Sequence, residues 1–408
     1  MTDHCILIHY HEISIKGGNR NWFEKIFIRN VKKQLSPLPF SRVVLNGARV
    51  FIYGIHVDLW NEYSKRLKCV LGLKNATIMT EVSGKDLQNI KDAAVKLIDG
   101  REFDNFRVSA KRQFKNYPYS SMDINREVGA TIFNEFKKPV KLKGADLDLI
   151  IEIVKNTAFL GVDKIVGYGG LPVGVGETAV SLLSSGIDSP VSSFEMLKRG
   201  VSLTYVHFHS VPSTSRQSIK NVEEILQQIS NFQHKCVVYM VPLLTIQQKI
   251  MKGSPNKLWV ILFRRALIRL GEIIADNIGA QALISGENIG QVASQTLSNI
   301  RATSDAVDIP IIRPLAGYNK EDIINRAKEI DTYELSIEPY QDCCSFFVPK
   351  HPETKANLEE VRTVESKIDL QPLYDEALLN TEIKTIVFDP KKVFSKKTLQ
   401  LIHSKTEK

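Results

Sequence analysis

Residues 179–200 read AVSLLSSGIDSPVSSFEMLKRG. An apolar, strand-like start breaks into Ser184-Ser185-Gly186 and turns at Asp188-Ser189. An amphipathic helix follows, with apolar positions at Val191, Phe194 and Leu197. In open α/β sheets the loop between the first strand and its helix is the usual phosphate site. Small residues let backbone N–H groups surround an anion, and the helix start adds partial positive charge. Ser184, Ser185 and Ser189 can add hydroxyl donors. No Gly-Lys-Ser/Thr follows, so the loop is not a Walker A motif. Composition alone leaves equally open a plain strand-to-helix turn capped by Asp188 or Ser189.

Downstream, the strand-like runs SLTYVHF, CVVYMVPL and AQALISGE alternate with helical stretches long enough for crossover connections. This pattern predicts a parallel sheet covered by helices on both faces. Upstream, the Gly-rich segment GYGGLPVGVGE at 167–177 lacks dinucleotide-loop spacing and reads as a linker or turn. Before it, two α+β patterns follow each other. The first has strands CILIHY and RVFIYGI around a basic amphipathic helix at 19–35, with apolar positions Trp22, Ile26 and Val31. The second runs helix DLQNIKDAAVKLID, strand FRVSAKR, a helix after SSMDINREVGATIFNEF, strand LDLIIEIV and the short run TAFLGV.

At 408 residues, two or three domains are expected. The apolar fraction of 43% and charged fraction of 24% are those of a globular protein. No run approaches the roughly eighteen apolar residues of a membrane span, and the N-terminus lacks a signal-peptide pattern. A cytoplasmic location and no membrane partner are therefore expected. A net charge of +9 suggests an anionic partner, nucleic acid first. Five cysteines without any C-x-x-C pair indicate neither a disulfide framework nor a local zinc ribbon, and only the Cys343-Cys344 doublet stands out.

SSGIDS resembles the S-G-G-x-D-S signature of the PP-loop ATP pyrophosphatases, which bind ATP phosphates in this loop and transfer AMP to a carbonyl oxygen. Four further stretches narrow the likeness: HYHEISIKGGNRNWFE (9–24), FRVSAKRQFKNYPYSSMDINREVGA (106–130), LISGENIGQVASQTLSNI (283–300) and EPYQDCCSFFVPKHPETK (338–355). Together, in this order over nearly the whole chain, they resemble the tRNA 4-thiouridine synthetase (ThiI) family. Two positions depart from the family pattern, which has Gly at Ser185 and usually at His11. A glycine replaced by serine implies strain if that backbone needs a positive φ. Longer members also carry a C-terminal rhodanese domain, and this chain is expected to lack one.

The resemblance implies α+β N-terminal ferredoxin-like and THUMP domains followed by an α/β PP-loop (adenine nucleotide alpha hydrolase-like) domain with a parallel sheet. The boundaries read as 1–75 ferredoxin-like, 76–166 THUMP, 167–177 linker and 178–400 PP-loop. The implied activity is an ATP-dependent tRNA sulfurtransferase that adenylates uridine at tRNA position 8 and replaces its C4 oxygen with persulfide sulfur. Mg²⁺ is expected with ATP, while no separate metal site and no iron–sulfur cluster are expected. Relatives suggest a homodimer. Family members often also supply sulfur for the thiazole of thiamine. Two other readings are an ATP-dependent PP-loop ligase on a small molecule and a non-catalytic THUMP RNA-binding protein.

By resemblance, Leu182, Leu183, Ser184, Ser185, Gly186, Asp188 and Ser189 line the nucleotide site with His207, Phe208, Arg264, Gly286 and Gln295. From the residues alone, His207 also fits a satisfied strand-end histidine, Arg264 beside Arg265 fits a structural ion pair, and Gly286 fits a plain turn. Asp188 either assists the metal or caps the helix. Cys344 aligns with the family's functional cysteine, with Cys343 as an accessory, and sulfur is expected from a cysteine desulfurase. Buried small hydrophobes are the bland reading of that pair. Contacts to tRNA are expected from Lys16, Arg20, Lys111, Arg112, Lys115 and Arg126, with Phe114, Tyr117 and Tyr119 placed among them to stack on bases. A solvated basic face is the bland reading here.

Overall fold

Strand and helix patterns alternate along the chain and assemble into two units, the first ending at Leu171 and the second beginning at Pro172. The structure is a computed structural model that describes residues 4–114, 116–339, 347, 349 and 352–389. The unit break falls inside the Gly-rich segment. That segment is not slack: Gly169 N–H donates to Leu73 O at 3.0 Å in the first unit, and Gly176 N–H donates to Gly200 O at 2.9 Å in the second.

The first unit opens with β1 (His4–Tyr10), α1 (Arg20–Leu35), β2 (Arg42–Asn46), β3 (Arg49–Tyr53), α2 (Trp60–Lys68) and β4 (Leu73–Ser83). It continues with α3 (Leu87–Ile98), β5 (Phe106–Arg112), α4 (Ser121–Phe136), β6 (Leu147–Val154), β7 (Thr157–Gly161) and β8 (Lys164–Val166). One sheet takes all these strands in the order β2-β3-β1-β4-β7-β6-β5, with β8 paired to β4. Every pair is antiparallel except β5 with β6. The long β4 joins the two halves, because it pairs with β1 along most of its length and with β7 through Thr80–Ser83.

A buried carboxylate ties these halves together. Glu152 on β6 is fully buried, 2.7 Å from Arg49 Nη2 on β3 and 3.2 Å from His9 Nε2 on β1. Burial alone would push its carboxyl up, but contact with His9 and the charge of Arg49 hold it below the ordinary glutamate value. At α4, Ser120 and Asp123 form a capping box: each side chain accepts the other's backbone N–H, at 3.1 and 3.0 Å. This start orients Ile124, Val128 and Ile132 into the core with Phe106, Leu149 and Ile151.

The second unit runs β9 (Thr178–Leu182), α5 (Asp188–Lys198), β10 (Ser202–His209), α6 (Gln217–Gln233), β11 (Lys235–Pro242), α7 (Leu244–Gly253) and α8 (Trp259–Ile278). Then come β12 (Leu283–Ile284), α9 (Leu297–Ser304), β13 (Ile311–Ile312), α10 (Lys320–Glu329), α11 (Tyr333–Ser336), α12 (Leu358–Glu365), α13 (Gln371–Leu379) and β14 (Glu382–Val387). The sheet order is β13-β12-β9-β10-β11-β14. From β9 the chain steps outward to β10 and β11 on one side and to β12 and β13 on the other. A crevice therefore opens beyond the carboxyl ends of β9 and β12.

Several expectations change in detail. The sheet is parallel except at its edge, where β14 runs antiparallel to β11. β14 is half-exposed, with Ile383 and Val387 facing out, and so lacks the apolar run of a central strand. The strand expected around AQALISGE shortens to Leu283–Ile284. Trp22 on α1 is exposed, whereas Ile26 and Val31 are buried. No helix of the described residues is long and apolar enough to cross a membrane.

Candidate active site

Ser189 closes the loop after β9. Its hydroxyl accepts Ser184 N–H at 2.9 Å, donates to Ser184 O at 3.0 Å and lies 3.1 Å from Ser184 Oγ. Neither Asp188 nor Ser189 caps α5: Ile187 precedes the helix, and the Ser189 hydroxyl turns back to the loop. Behind it, Ser193 Oγ donates to Ser189 O at 2.8 Å and meets Ser181 Oγ at 2.8 Å. Ser192 Oγ donates to Ser285 O at 3.0 Å and so ties α5 to the end of β12. Gly286 completes this seam, since a Cβ there would stand 2.9 Å from Ser189 N and 3.0 Å from the Asp188 carbonyl carbon. The close approach that Gly286 permits is to this backbone. Ser185 is absent from the described non-glycine residues with positive φ, so its side chain causes no backbone strain.

The crevice holds a cavity of about 460 Å³. Of the residues expected at the nucleotide, all but Ser185 and Gly186 line it: Leu182, Leu183, Ser184, Asp188, Ser189, His207, Phe208, Arg264, Gly286 and Gln295. Ser185 is buried beside them, and its hydroxyl has no partner among the described residues. Apolar walls come from Val260, Leu267, Ile268 and Val292. His207 is buried with Nδ1 3.0 Å from Leu183 O, and Nε2 has no partner among the described residues. Desolvation lowers its pKa to about 4, so the imidazole is neutral at physiological pH. The Leu183 carbonyl assigns the proton to Nδ1 and leaves Nε2 as an acceptor on the cavity wall. Gln295 Oε1 is a second buried acceptor without a partner among the described residues.

The twin arginines of α8 divide their work. Arg265 is buried in a structural network with Glu365 at 2.7 Å and Asp305 at 3.3 Å, whereas Arg264 lines the cavity. Two participants escape sequence reading. Glu287 sits 2.8 Å from Arg264 Nη1 and 2.6 Å from Arg313 Nε, and its only sequence signal is an acid directly after the strand-end glycine. Lys320, at the start of α10, lies 2.6 Å from Asp188 Oδ1, while Gln291 Nε2 donates to Asp188 Oδ2 at 2.8 Å. No local pattern announces a partner so distant in sequence. Asp188 is thus a held carboxylate at the cavity wall.

The expected RNA contacts lie in the first unit. Lys16 stands 5.2 Å from the centroid of the Phe23 ring. Arg20 is committed to the fold: its Nε donates to Glu24 at 2.8 Å, and its Nη2 donates to the Tyr10 hydroxyl. Lys111 is exposed on β5, and the neighbouring Arg112 donates to Tyr117 O at 3.2 Å. Arg126 is exposed on α4, 3.4 Å from Asp123. Phe114 and Tyr119 expose their rings, while the Tyr117 hydroxyl donates to Gly84 O at 2.5 Å. His11, at a departure from the family pattern, accepts Gly170 N–H at 3.1 Å. Lys115, Cys343 and Cys344 lie outside the described residues.

Residues 5–77 match the ThiI ferredoxin-like domain, 84–163 the THUMP domain and 174–370 the family described as thiamine biosynthesis protein (ThiI). Over 384 residues the chain is 36% identical to a probable tRNA sulfurtransferase of Thermus thermophilus, with 94% of both chains covered. The chain belongs to the ThiI family. A probable tRNA sulfurtransferase from a Thermoanaerobacter species is 39% identical to this ThiI chain over 371 residues, 91% of this chain and 97% of the relative. The crystal structure of a 4-thiouridine synthetase in complex with RNA and with bound ATP is 35% identical. It superposes with a TM-score of 0.83 over 95% of this ThiI chain and 100% of its own.

Proposed function

We propose that this ThiI chain is an ATP-dependent tRNA sulfurtransferase that makes 4-thiouridine at tRNA position 8. The observation that carries the reading is the meeting of the serine loop, Asp188, His207, Arg264 and Gln295 around one cavity at the sheet's switch point. The 4-thiouridine synthetase that superposes over 95% of this chain was solved with RNA and with bound ATP. The C4 oxygen of uracil is a poor leaving group. Transfer of AMP to that oxygen releases pyrophosphate and makes AMP the group that departs when sulfur attacks C4. Such chemistry depends on holding the reactants in line and neutralising phosphate charge.

The cavity supplies both. The start of α5 and the hydroxyls of Ser184 and Ser189 line the phosphate end, Arg264 adds positive charge, and the apolar walls accept the base. The unpartnered His207 Nε2 and Gln295 Oε1 are acceptors for ligand N–H or O–H groups. Mg²⁺ would accompany the phosphates with Asp188 as its protein carboxylate, supplying charge neutralisation. Among the described residues no group of three His, Cys, Asp or Glu side chains forms a separate metal site. Sulfur comes from a cysteine desulfurase and passes through Cys344, with Cys343 as an accessory, in a homodimer of this chain. The basic face of the first unit holds the tRNA.

The test is a reconstituted reaction with unmodified tRNA, Mg-ATP, cysteine and a cysteine desulfurase, followed by mass spectrometry of the nucleosides. The expected result is 4-thiouridine with wild type and with Cys343→Ser, and none with Cys344→Ser. Full thiolation by Cys344→Ser would remove Cys344 from the sulfur route. Absence of both thiolated uridine and tRNA-dependent AMP from the wild type would overturn the function.

A further inference from the structure

We propose that Glu287 is the positioning residue for Arg264, holding its guanidinium toward the phosphates of the nucleotide. The inference rests on the nucleotide reading above and adds a residue whose work is done through another side chain. A free arginine side chain samples many rotamers, and its charge is weakly directed. Here Arg264 Nη1 is held 2.8 Å from Glu287 Oε1 and donates to Ser294 Oγ at 3.4 Å. The carboxylate that holds it is 4% exposed, and desolvation alone would push it toward the neutral form. The charges of Arg264 and Arg313 reverse that tendency and keep Glu287 ionised.

The two arginines on this carboxylate are not equivalent. Arg313 commits all three nitrogens to the protein: Nε to Glu287 at 2.6 Å, Nη2 to Ser304 Oγ at 2.8 Å and Nη1 to Ile311 O at 3.3 Å. It does not line the cavity. Arg264 does, and its Nε and Nη2 have no partner among the described residues. One negative and two positive charges leave one positive charge over, and the uncommitted N–H groups are those of Arg264. Gly286, next in sequence to Glu287, packs on the backbone of Asp188 and Ser189. The surplus charge therefore sits on the same seam as the serine loop. A guanidinium held in this way presents fixed donors to an anion without rearranging when the ligand arrives.

Binding of AMP and of adenosine to the full-length chain, measured by calorimetry, separates positioning from mere support. Glu287→Asp keeps the charge but shortens the reach to Arg264, whereas Glu287→Gln keeps the reach but removes the charge. The expected result is that AMP affinity falls about tenfold in both variants, the worth of one charge-assisted hydrogen bond, while adenosine affinity is unchanged. An equal fall for both ligands would mean that Glu287 only supports the cavity wall. Unchanged or tighter AMP binding by either variant would mean that Glu287 merely moderates local charge. Either result overturns the proposal. If Glu287→Gln does not fold, Glu287→Asp carries the test alone. Wild-type protein that binds neither AMP nor ATP would instead overturn the nucleotide site itself, and this inference with it.

Discussion

Ser189 shows how much a single hydroxyl can organise, since it closes the loop that follows β9 onto Ser184. Ser189→Ala removes its bonds to Ser184 N–H and O and frees the loop. The expected outcome is at least a tenfold drop in tRNA-dependent AMP release, on the scale of about 1 kcal/mol for each hydrogen bond removed, with a small change in thermal midpoint. His207 makes a prediction about pH. Its folded pKa of about 4 lies below the ordinary value of 6.5, so between these values the unfolded chain binds a proton that the folded chain refuses. His207 therefore withdraws no stability above pH 6.5 and progressively more as pH falls toward 4, by up to about 3 kcal/mol at roughly 1.4 kcal/mol per pKa unit. Thermal midpoints measured across this window should fall less steeply for His207→Gln than for wild type. Its burial and its contact with Leu183 O fit the bland reading of His207 only in part, because Nε2 has no partner among the described residues and the residue lines the cavity.

Between elements, close approach and buried charge decide what the sequence pattern leaves open. Gly286→Ala would press a Cβ against the backbone of α5's first turn, which has no flexible end to yield. The expected cost is about 1–3 kcal/mol of stability, as for other overpacked sites, together with weakened ATP binding because the loop shifts. Both are read by thermal unfolding with and without ATP. In the first unit, Glu152→Gln leaves Arg49 and His9 around an uncharged amide. Breaking such a buried pair costs about 3–5 kcal/mol, which chemical denaturation of the variant should register. β5 and β6 were legible as strands, and the helix expected after SSMDINREVGATIFNEF lies within that stretch instead, over residues 121–136, where its capping box starts it. The strand β4 was not. LKNATIMTEVS mixes buried and exposed positions because different strands cover it along its length.

At the scale of the molecule, the chain separates into a unit bearing exposed basic and aromatic side chains and a unit bearing the cavity beyond β9 and β12. Replacing Lys111 and Arg112 with Ala should weaken tRNA binding. The slope of log affinity against log salt should become shallower by up to about 0.9 for each phosphate no longer neutralised, as titrations at several salt concentrations would show. Unchanged affinity and slope would move the RNA surface elsewhere on the first unit. Arg20 is a poorer candidate than its charge suggests, because Glu24 and Tyr10 already hold it. Charge counted along a sequence cannot distinguish a side chain paired within the fold from one facing solvent.

What the sequence determined by itself was whatever a short window can encode. The serine loop between strand and helix, the alternation of apolar runs and helical stretches and the glycine at a strand end all depend on neighbours a few residues away. Those local signals carried the parallel α/β reading of the second half of the chain, whereas the set of domains and the nucleotide residues came from the family resemblance. The tertiary structure lines the cavity with Arg264, the arginine the resemblance pointed to, and buries its neighbour Arg265 with Glu365. It also brought Lys320 to Asp188 and set Glu287 between Arg264 and Arg313. The physical reason is that an ion pair acts over a few ångströms of space, whatever the length of chain between its partners. Only the parallel sheet, reversing its order at β9, brings those segments to one crevice.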